Sequence, residues 1–253
     1  MKQCNLLGIT TLLLVLLLSA CGGKNETGNF EKGFEGTYVG LLPCASCPGI
    51  STHATFFDDN KVAITSLYYD SDDTSQTEWG TWEVNGKILT ATMPYETTYH
   101  YVQLSDEVIM MTDSVGTPSE NLAENYQLTK ETPFTSSDFE GHYVMGDIED
   151  ADAYVQNLIV TPIDANTVNI VINSKGAGKG CEFTGKGIII NNQIELDLSE
   201  QHEKMDSTMV IRFALDEEDT LFLFTSTFDD RYDLMYFCGG GGSLTGNYVK
   251  VTE

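Results

Sequence analysis

A repeated segment is the feature that most constrains the fold of this chain. Residues 34–39 and residues 139–144 share the pattern Phe-Glu-Gly-x-Tyr-Val, at an offset of 105 residues. Each copy opens a stretch in which polar and apolar residues alternate, as they do in strands with one buried face. Gly-x-Tyr-Val is also a common strand opening, which is the alternative to a true repeat. The repeat favours two β domains over one large one.

The domain boundaries follow from the repeat. We predict a first domain at residues 34–130 and a second at residues 139–253. Without the signal and the tether about 220 residues remain, which is enough for two small domains. Residues 131–138 contain Pro133 and several hydroxyl side chains, which suit a linker.

Short strand signals at regular spacing fill both domains. They are rich in Thr, Tyr, Val and Trp, and no sustained helical period lies between them. In the first domain they fall at residues 52–57, 61–69, 77–84, 88–93, 99–104, 108–112 and 125–129. In the second they fall at residues 158–161, 167–173, 181–190, 193–198, 208–214, 220–226, 231–237 and 246–251. The pattern predicts an all-β protein of two small antiparallel β-barrels or strongly curved sheets.

Two dipeptides mark hairpins within these strands. Asn85-Gly86 predicts a type I′ turn, because both residue types accept the positive φ angles that this turn requires. Asn191-Asn192 is the corresponding signal in the second domain.

The N-terminus carries an export signal. Residues 1–20 hold Lys2 and then an apolar run that is too short to span a bilayer, and Leu18-Ser19-Ala20-Cys21 has the pattern of a bacterial lipoprotein signal. We predict that Cys21 is lipidated and becomes the first mature residue; the alternative is an ordinary signal peptide with a chance cysteine. Residues 21–33 are predicted to be a flexible tether. The predicted location is the cell envelope, lipid-anchored in the outer membrane and facing either the periplasm or the surface.

The charge excludes one class of partner. Loss of Lys2 with the signal changes the formal net charge from −25 to −26. Such an acidic chain is not expected to bind nucleic acid, which needs basic side chains. Membrane contact is expected to rest on the acyl chains of Cys21.

Four cysteines remain after Cys4 leaves with the signal and Cys21 takes the lipid. An exported chain permits disulfides among them. Cys181 and Cys238 are the only cysteines of the second domain, and a bridge between them would stabilise it by roughly 4 kcal/mol in the chain-entropy model. Two free thiols are the alternative to this predicted disulfide.

The remaining pair, Cys44 and Cys47, forms a Cys-x-x-Cys motif flanked by Pro43 and Pro48. A tight turn of this kind can bring both sulfurs to one side. Three interpretations remain open: a structural disulfide, a soft-metal site that suits Cu(I), and a dithiol oxidoreductase site. The last fits least well, because thioredoxin-like sites lie at a helix N-terminus and these flanks are predicted strands.

The Cys-x-x-Cys segment also carries a family resemblance. Residues 36–52 resemble the signature of NlpE, a family of copper-homeostasis and envelope-stress lipoproteins, on the element Pro-Cys-x-x-Cys-x-Gly-Ile-x-Thr. Further matches are Trp79-Gly80-Thr81-Trp82 and Tyr126-Gln127-Leu128, so the resemblance covers the lipid signal and residues 34–130.

The resemblance implies a lipocalin-like barrel for the first domain and Cys44 and Cys47 as a Cu(I)-binding pair. It also implies that stress is reported to an envelope signalling protein. Family members can carry an OB-like second domain with a redox-sensitive disulfide, so the second domain is expected to be OB-like or a related β-barrel. The resemblance suggests the same redox role for Cys181 and Cys238, but no motif aligns these two cysteines with the family's disulfide.

Two cysteines rarely complete a metal site, so the candidate third ligands matter. His53 follows Cys47 by six residues, and Met110 and Met111 alternate on one predicted strand. The more ordinary roles for these residues are a polar strand position for His53 and core packing for the methionines.

Two functional hypotheses follow. The motifs of zinc proteases, serine hydrolases and nucleotide sites are missing, so no enzyme activity is expected. The favoured hypothesis is an envelope lipoprotein for copper homeostasis or stress sensing, in which Cys44 and Cys47 bind Cu(I) or cycle between thiol and disulfide. The alternative is an interaction module with structural cysteines, which binds an apolar ligand in the barrel or inhibits an envelope hydrolase.

Overall fold

The computed structural model of this chain describes residues 30, 33–69, 74–119, 123–150, 152–176, 180–215 and 217–252. The predicted signal peptide, the lipidation site Cys21 and most of the predicted tether lie outside the described residues. Within the described residues, the longest apolar helix falls short of what a membrane crossing requires.

The first barrel closes from eight antiparallel strands in sequence order, with the eighth pairing to the first. Its strands are β1 (Gly36–Leu42), β2 (Ile50–Phe56), β3 (Lys61–Tyr68), β4 (Thr74–Asn85), β5 (Ile88–Thr92), β6 (Thr98–Ser105), β7 (Val108–Thr112) and β8 (Gln127–Lys130). Short 3-10 helices lie at Pro94–Glu96 and Ala123–Tyr126. Alternate residues of each strand point inward and form an apolar core around Tyr38, Phe56 and Tyr101.

The second barrel has the same order and also closes on its first strand. Its strands are β9 (Gly141–Met145), β10 (Val155–Asp164), β11 (Thr167–Lys175), β12 (Glu182–Ile190), β13 (Gln193–Asp197), β14 (Thr208–Phe213), β15 (Thr220–Thr225) and β16 (Gly246–Lys250). Helix α1 (Ser136–Phe139) precedes it, and 3-10 helices lie at Leu198–Glu200 and Phe228–Met235. The prediction of an all-β protein with two barrels is confirmed. Eight strands exceed the five of an OB-fold, so the second domain is the related β-barrel of that prediction.

The repeated sequence has a repeated structural role. Tyr38 and Tyr143 are both fully buried, and their hydroxyls donate to the Phe34 and Phe139 carbonyl oxygens at 2.6 and 3.1 Å. Each tyrosine lies opposite a lysine of the closing strand, and the lysine Nζ is 5.6 Å from the first ring and 5.5 Å from the second. The sequence repeat therefore marks the seam at which each barrel closes.

The two predicted hairpins form, but one differs in its turn. Asn191 and Asn192 have φ angles of 55° and 57° between the paired residues Ile190 and Gln193, as a type I′ turn requires. In the other, Asn85 pairs with Ile88, so the loop residues are Gly86 and Lys87. Only Gly86 has a positive φ, 64°. The type I′ prediction is wrong there, because glycine at the first loop position suits a type II′ turn.

The barrels pack against each other through their outer faces. Leu67 of β3 meets Val210, Phe222 and Phe224 of β14 and β15 in an apolar cluster separate from both barrel interiors. At one edge the Thr77 amide donates to the Ser226 carbonyl oxygen at 2.7 Å. We call this contact the inter-barrel interface.

A buried arginine adds a polar part to the inter-barrel interface. Arg212 of β14 is 1% exposed, and its Nη2 donates to the backbone oxygen and Oγ of Ser51 at 3.1 and 2.9 Å. Burial lowers the pKa of Arg212 to about 10, while Tyr69 and Glu131 act to raise it. The guanidinium therefore stays charged at neutral pH.

The connection between the barrels is held in place by the second barrel. The Asn192 side chain donates to the Glu131 carboxylate and to the Thr132 carbonyl oxygen, both at 3.0 Å, and accepts from the Phe134 amide at 3.2 Å. These hydrogen bonds fix the path of the chain into α1.

Candidate functional site at the mouth of the first barrel

The Cys-x-x-Cys motif forms the turn between β1 and β2, at one mouth of the first barrel. Leu42 pairs with Ile50, and residues 43–49 cross between them. Cys44 Sγ and Cys47 Sγ are at disulfide distance, 2.03 Å, and their Cα atoms are 5.2 Å apart. Both cysteines are half-buried, whereas the two residues between them are exposed. A solution reductant can therefore approach the pair from the outer side of the turn.

Gly49 fixes the return of this turn into β2. Its carbonyl oxygen accepts a hydrogen bond from the Tyr69 amide at 3.1 Å and lies 3.4 Å from Cys47 Sγ. A Cβ at this position would come within 2.7 Å of the Leu41 side chain. The close approach explains why a glycine follows the Cys-Pro pair in this sequence.

A cavity of about 170 Å³ lies beneath the turn, inside the barrel mouth. Leu42 and Pro43, the residues just before Cys44, form part of its wall. Its other lining residues include four tyrosines and a methionine, which are Tyr68, Tyr99, Tyr101, Tyr126 and Met111. None of the described residues that line it carries a charge.

The deepest tyrosine of the cavity has an unusual environment. Tyr101 is 0% exposed, and its hydroxyl has no hydrogen-bond partner among the described residues. Burial raises the pKa of this hydroxyl well above its usual value, and nearby Tyr99 adds to the rise. The group is therefore a neutral phenol in the folded protein, free to donate or to accept.

The second cysteine pair lies at the end of the second barrel. Cys181 Sγ and Cys238 Sγ are 2.02 Å apart and join the residue before β12 to the segment after the last 3-10 helix. The Tyr154 hydroxyl lies 3.2 Å from Cys181 Sγ. Cys181 is fully buried, whereas Cys238 is half-buried.

The candidate third ligands are not gathered around the turn. His53 is 2% exposed on the outer face of β2, at the inter-barrel interface with Arg212. Met111 lines the cavity, while its neighbour Met110 faces away from the barrel core cluster. In the part of the chain that the structure describes, no group of three or more His, Cys, Asp or Glu residues could hold a metal ion.

The cavity was missed from the sequence, although a signal for it exists. Tyr99, Tyr101 and Met111 occupy inward positions on β6 and β7, and two tyrosines two residues apart on one strand place two hydroxyls inside a barrel. A barrel interior built only for packing favours aliphatic side chains, because a buried hydroxyl needs a partner.

Comparisons with known proteins give a family match within the first barrel and similar solved structures. Residues 38–122 match the family model described as NlpE N-terminal domain. No curated protein matches the sequence. A crystal structure of a protein assigned as a lipoprotein from Shewanella oneidensis is 31% identical, over 39% of this chain and 90% of that chain, with a TM-score of 0.34. The crystal structure of the Cpx pathway activator NlpE from Escherichia coli is 16% identical, over 75% of this chain and 84% of that chain, with a TM-score of 0.31.

Proposed function

Because the first barrel of this chain is NlpE-like, we propose that the protein is an envelope-stress lipoprotein whose Cys44 and Cys47 bind Cu(I) or cycle between thiol and disulfide. The observation that carries this proposal is the placement of both sulfurs on one accessible turn at the barrel mouth. Anchoring through Cys21 would hold the turn in the cell envelope, where copper and oxidants are encountered.

The donor set suits a soft metal ion such as Cu(I) better than a hard one. Thiolates are soft ligands that select Cu(I) over Mg²⁺ or Ca²⁺, which need oxygen ligands. A two-electron reductant, with two protons, would first have to convert the disulfide to two thiols, and each thiol would give up its proton in order to hold the metal. Cys44 and Cys47 would hold the ion, and the half-buried Pro43 and the cavity wall would limit water on its inner side.

The same turn supports the stress-sensing part of the proposal. Its two chemical states, dithiol and disulfide, differ in the constraint placed on Leu42 and Pro43, which belong to the barrel wall. A change of redox state or of metal occupancy would therefore alter the rim of the barrel. We propose that this rim is what an envelope signalling protein recognises.

The test is a Cu(I) titration of the reduced, lipid-free chain from Gly22 onward against a competing chelator. The Cys44→Ser/Cys47→Ser variant is compared with the Cys181→Ser/Cys238→Ser variant as the matched control. We expect tight binding of one Cu(I) that is lost in the first variant and kept in the second. If the unsubstituted chain and both variants bound Cu(I) equally, Cys44 and Cys47 would form a structural disulfide only.

A further inference from the structure

The cavity under the cysteine turn has the size of a small-molecule site. Its volume of about 170 Å³ is close to the roughly 150 Å³ of an engineered apolar cavity that binds benzene. Leu42, Ile50, Ile64 and Met111 provide apolar wall. Tyrosine rings, Pro43 and the small hydroxyl residues Thr52 and Ser66 provide the rest. A six-membered ring with one or two substituent atoms fills such a volume.

The Tyr101 hydroxyl gives this cavity a specific polar point. Tyr101 lines the cavity, and its completely buried hydroxyl lacks a partner among the described residues, whereas the buried Tyr38 hydroxyl of the same barrel donates to Phe34. Buried polar groups in folded proteins are almost always hydrogen-bonded, so the lone hydroxyl points to a missing partner.

The charges around the cavity determine the kind of partner. The described lining residues are all neutral, and the mature chain carries a formal net charge of −26. An anionic ligand would meet repulsion and would lose its hydration without a cation to replace it. A cationic ligand would lack a buried carboxylate among the described lining residues.

We propose that the mouth of the first barrel binds a neutral, single-ring ligand that carries one hydroxyl or carbonyl group, with that group hydrogen-bonded to the Tyr101 hydroxyl. The ring lies between the aliphatic wall and the tyrosines, and it contacts Met111. This site does not depend on copper, so it goes beyond the function proposed above.

The experiment titrates p-cresol and toluene into the lipid-free chain from Gly22 onward, with both barrels present and the disulfides intact. We expect one p-cresol per chain, and nuclear Overhauser effects between its ring protons and the Met111 methyl group. Tyr101→Phe keeps the ring and removes only the hydroxyl, so it is expected to weaken p-cresol binding about three- to tenfold and to leave toluene binding unchanged. Tyr38→Phe is the matched control and is expected to leave both affinities unchanged.

A cavity-filling variant gives a second, independent readout. Ser66→Leu places a larger side chain on the cavity wall and is expected to abolish binding of both compounds, with its fold checked by circular dichroism. The proposal is overturned if neither compound binds, if p-cresol binds without contact to Met111, or if Tyr101→Phe weakens both compounds equally. These outcomes are independent of Cu(I) binding, because the disulfide-linked protein is used.

Discussion

His53 is a polar side chain on an outer barrel face that is nevertheless 2% exposed, because the second barrel covers it. Neither of its ring nitrogens has a hydrogen-bond partner among the described residues. Burial lowers the pKa of His53 well below 6.5, and the nearby Arg212 guanidinium lowers it further. The folded protein therefore holds this imidazole neutral.

This neutral histidine predicts a loss of stability in acid. Well above pH 6.5 the imidazole is neutral in both states, so its contribution does not change with pH. Below pH 6.5 only the unfolded chain takes up the proton, so the free energy of unfolding falls as the pH falls, by up to about 1.4 kcal/mol per pH unit. We expect His53→Gln to remove this part of the pH dependence, as measured by urea unfolding between pH 5 and pH 7.5.

The comparison isolates His53 because other shifted groups stay in both proteins. Burial raises the pKa of Glu131 and Glu195, which acts in the opposite direction as acid is added. The difference between wild type and variant cancels their contribution. Parallel pH curves for the two proteins would contradict a buried neutral His53.

At the scale of elements, the features that could be predicted from the sequence are those that depend on local chemistry. The alternation within strands and the Asn191-Asn192 turn follow from backbone preferences of the residues themselves, so they could be recognised without the structure. The register of the first-barrel hairpin could not be recognised in this way. Either dipeptide, Asn85-Gly86 or Gly86-Lys87, can occupy a two-residue loop. Cross-strand pairing over the whole hairpin decides between them.

The two cysteine bridges close loops of very different length, and their effects on stability should differ accordingly. Cys181 and Cys238 are separated by 57 residues, whereas Cys44 and Cys47 are separated by three. In the chain-entropy model the long loop contributes roughly 4 kcal/mol and the short one roughly 2 kcal/mol. We expect Cys181→Ala/Cys238→Ala to lower the free energy of unfolding by about twice as much as Cys44→Ala/Cys47→Ala, in urea titrations followed by circular dichroism. Equal losses of unfolding free energy in the two variants would show that loop length does not set how much a disulfide stabilises this protein.

At the scale of the whole molecule, the sequence predicted two barrels but not how they meet. Ser51, His53 and Thr55 occupy outward positions of β2, where alternating polar residues normally indicate solvent. All three are buried in the structure. Arg212 likewise gave no signal of its burial, because a charged residue at an outward strand position is expected at a surface. Contacts between two outer faces depend on the arrangement of both barrels, which strand periodicity does not encode.

The inter-barrel interface predicts that the two barrels unfold as one unit unless that interface is broken. Leu67 is 1% exposed and meets Val210, Phe222 and Phe224, but it belongs to neither barrel interior. An aspartate at this position would place an unpaired carboxylate among apolar side chains while both barrels are docked, yet it would face water once they separate. We therefore expect Leu67→Asp to separate the barrels without unfolding either one. Scanning calorimetry should change from one transition to two, and small-angle X-ray scattering should show a larger radius of gyration.

The control for this substitution is Leu41→Asp, which adds the same charge to the same barrel at a side chain that is 44% exposed. It is expected to leave a single transition and an unchanged radius of gyration, because Leu41 lies outside the apolar cluster of the inter-barrel interface. If Leu67→Asp also kept one transition and a compact shape, the apolar cluster would not be what couples the barrels. Coupling would then rest on the polar contacts, which are Arg212 with Ser51, the Thr77–Ser226 backbone hydrogen bond and the hydrogen-bonded connection at Asn192. Arg212→Met in the Leu67→Asp background would then be expected to separate them, because it removes both bonds to Ser51.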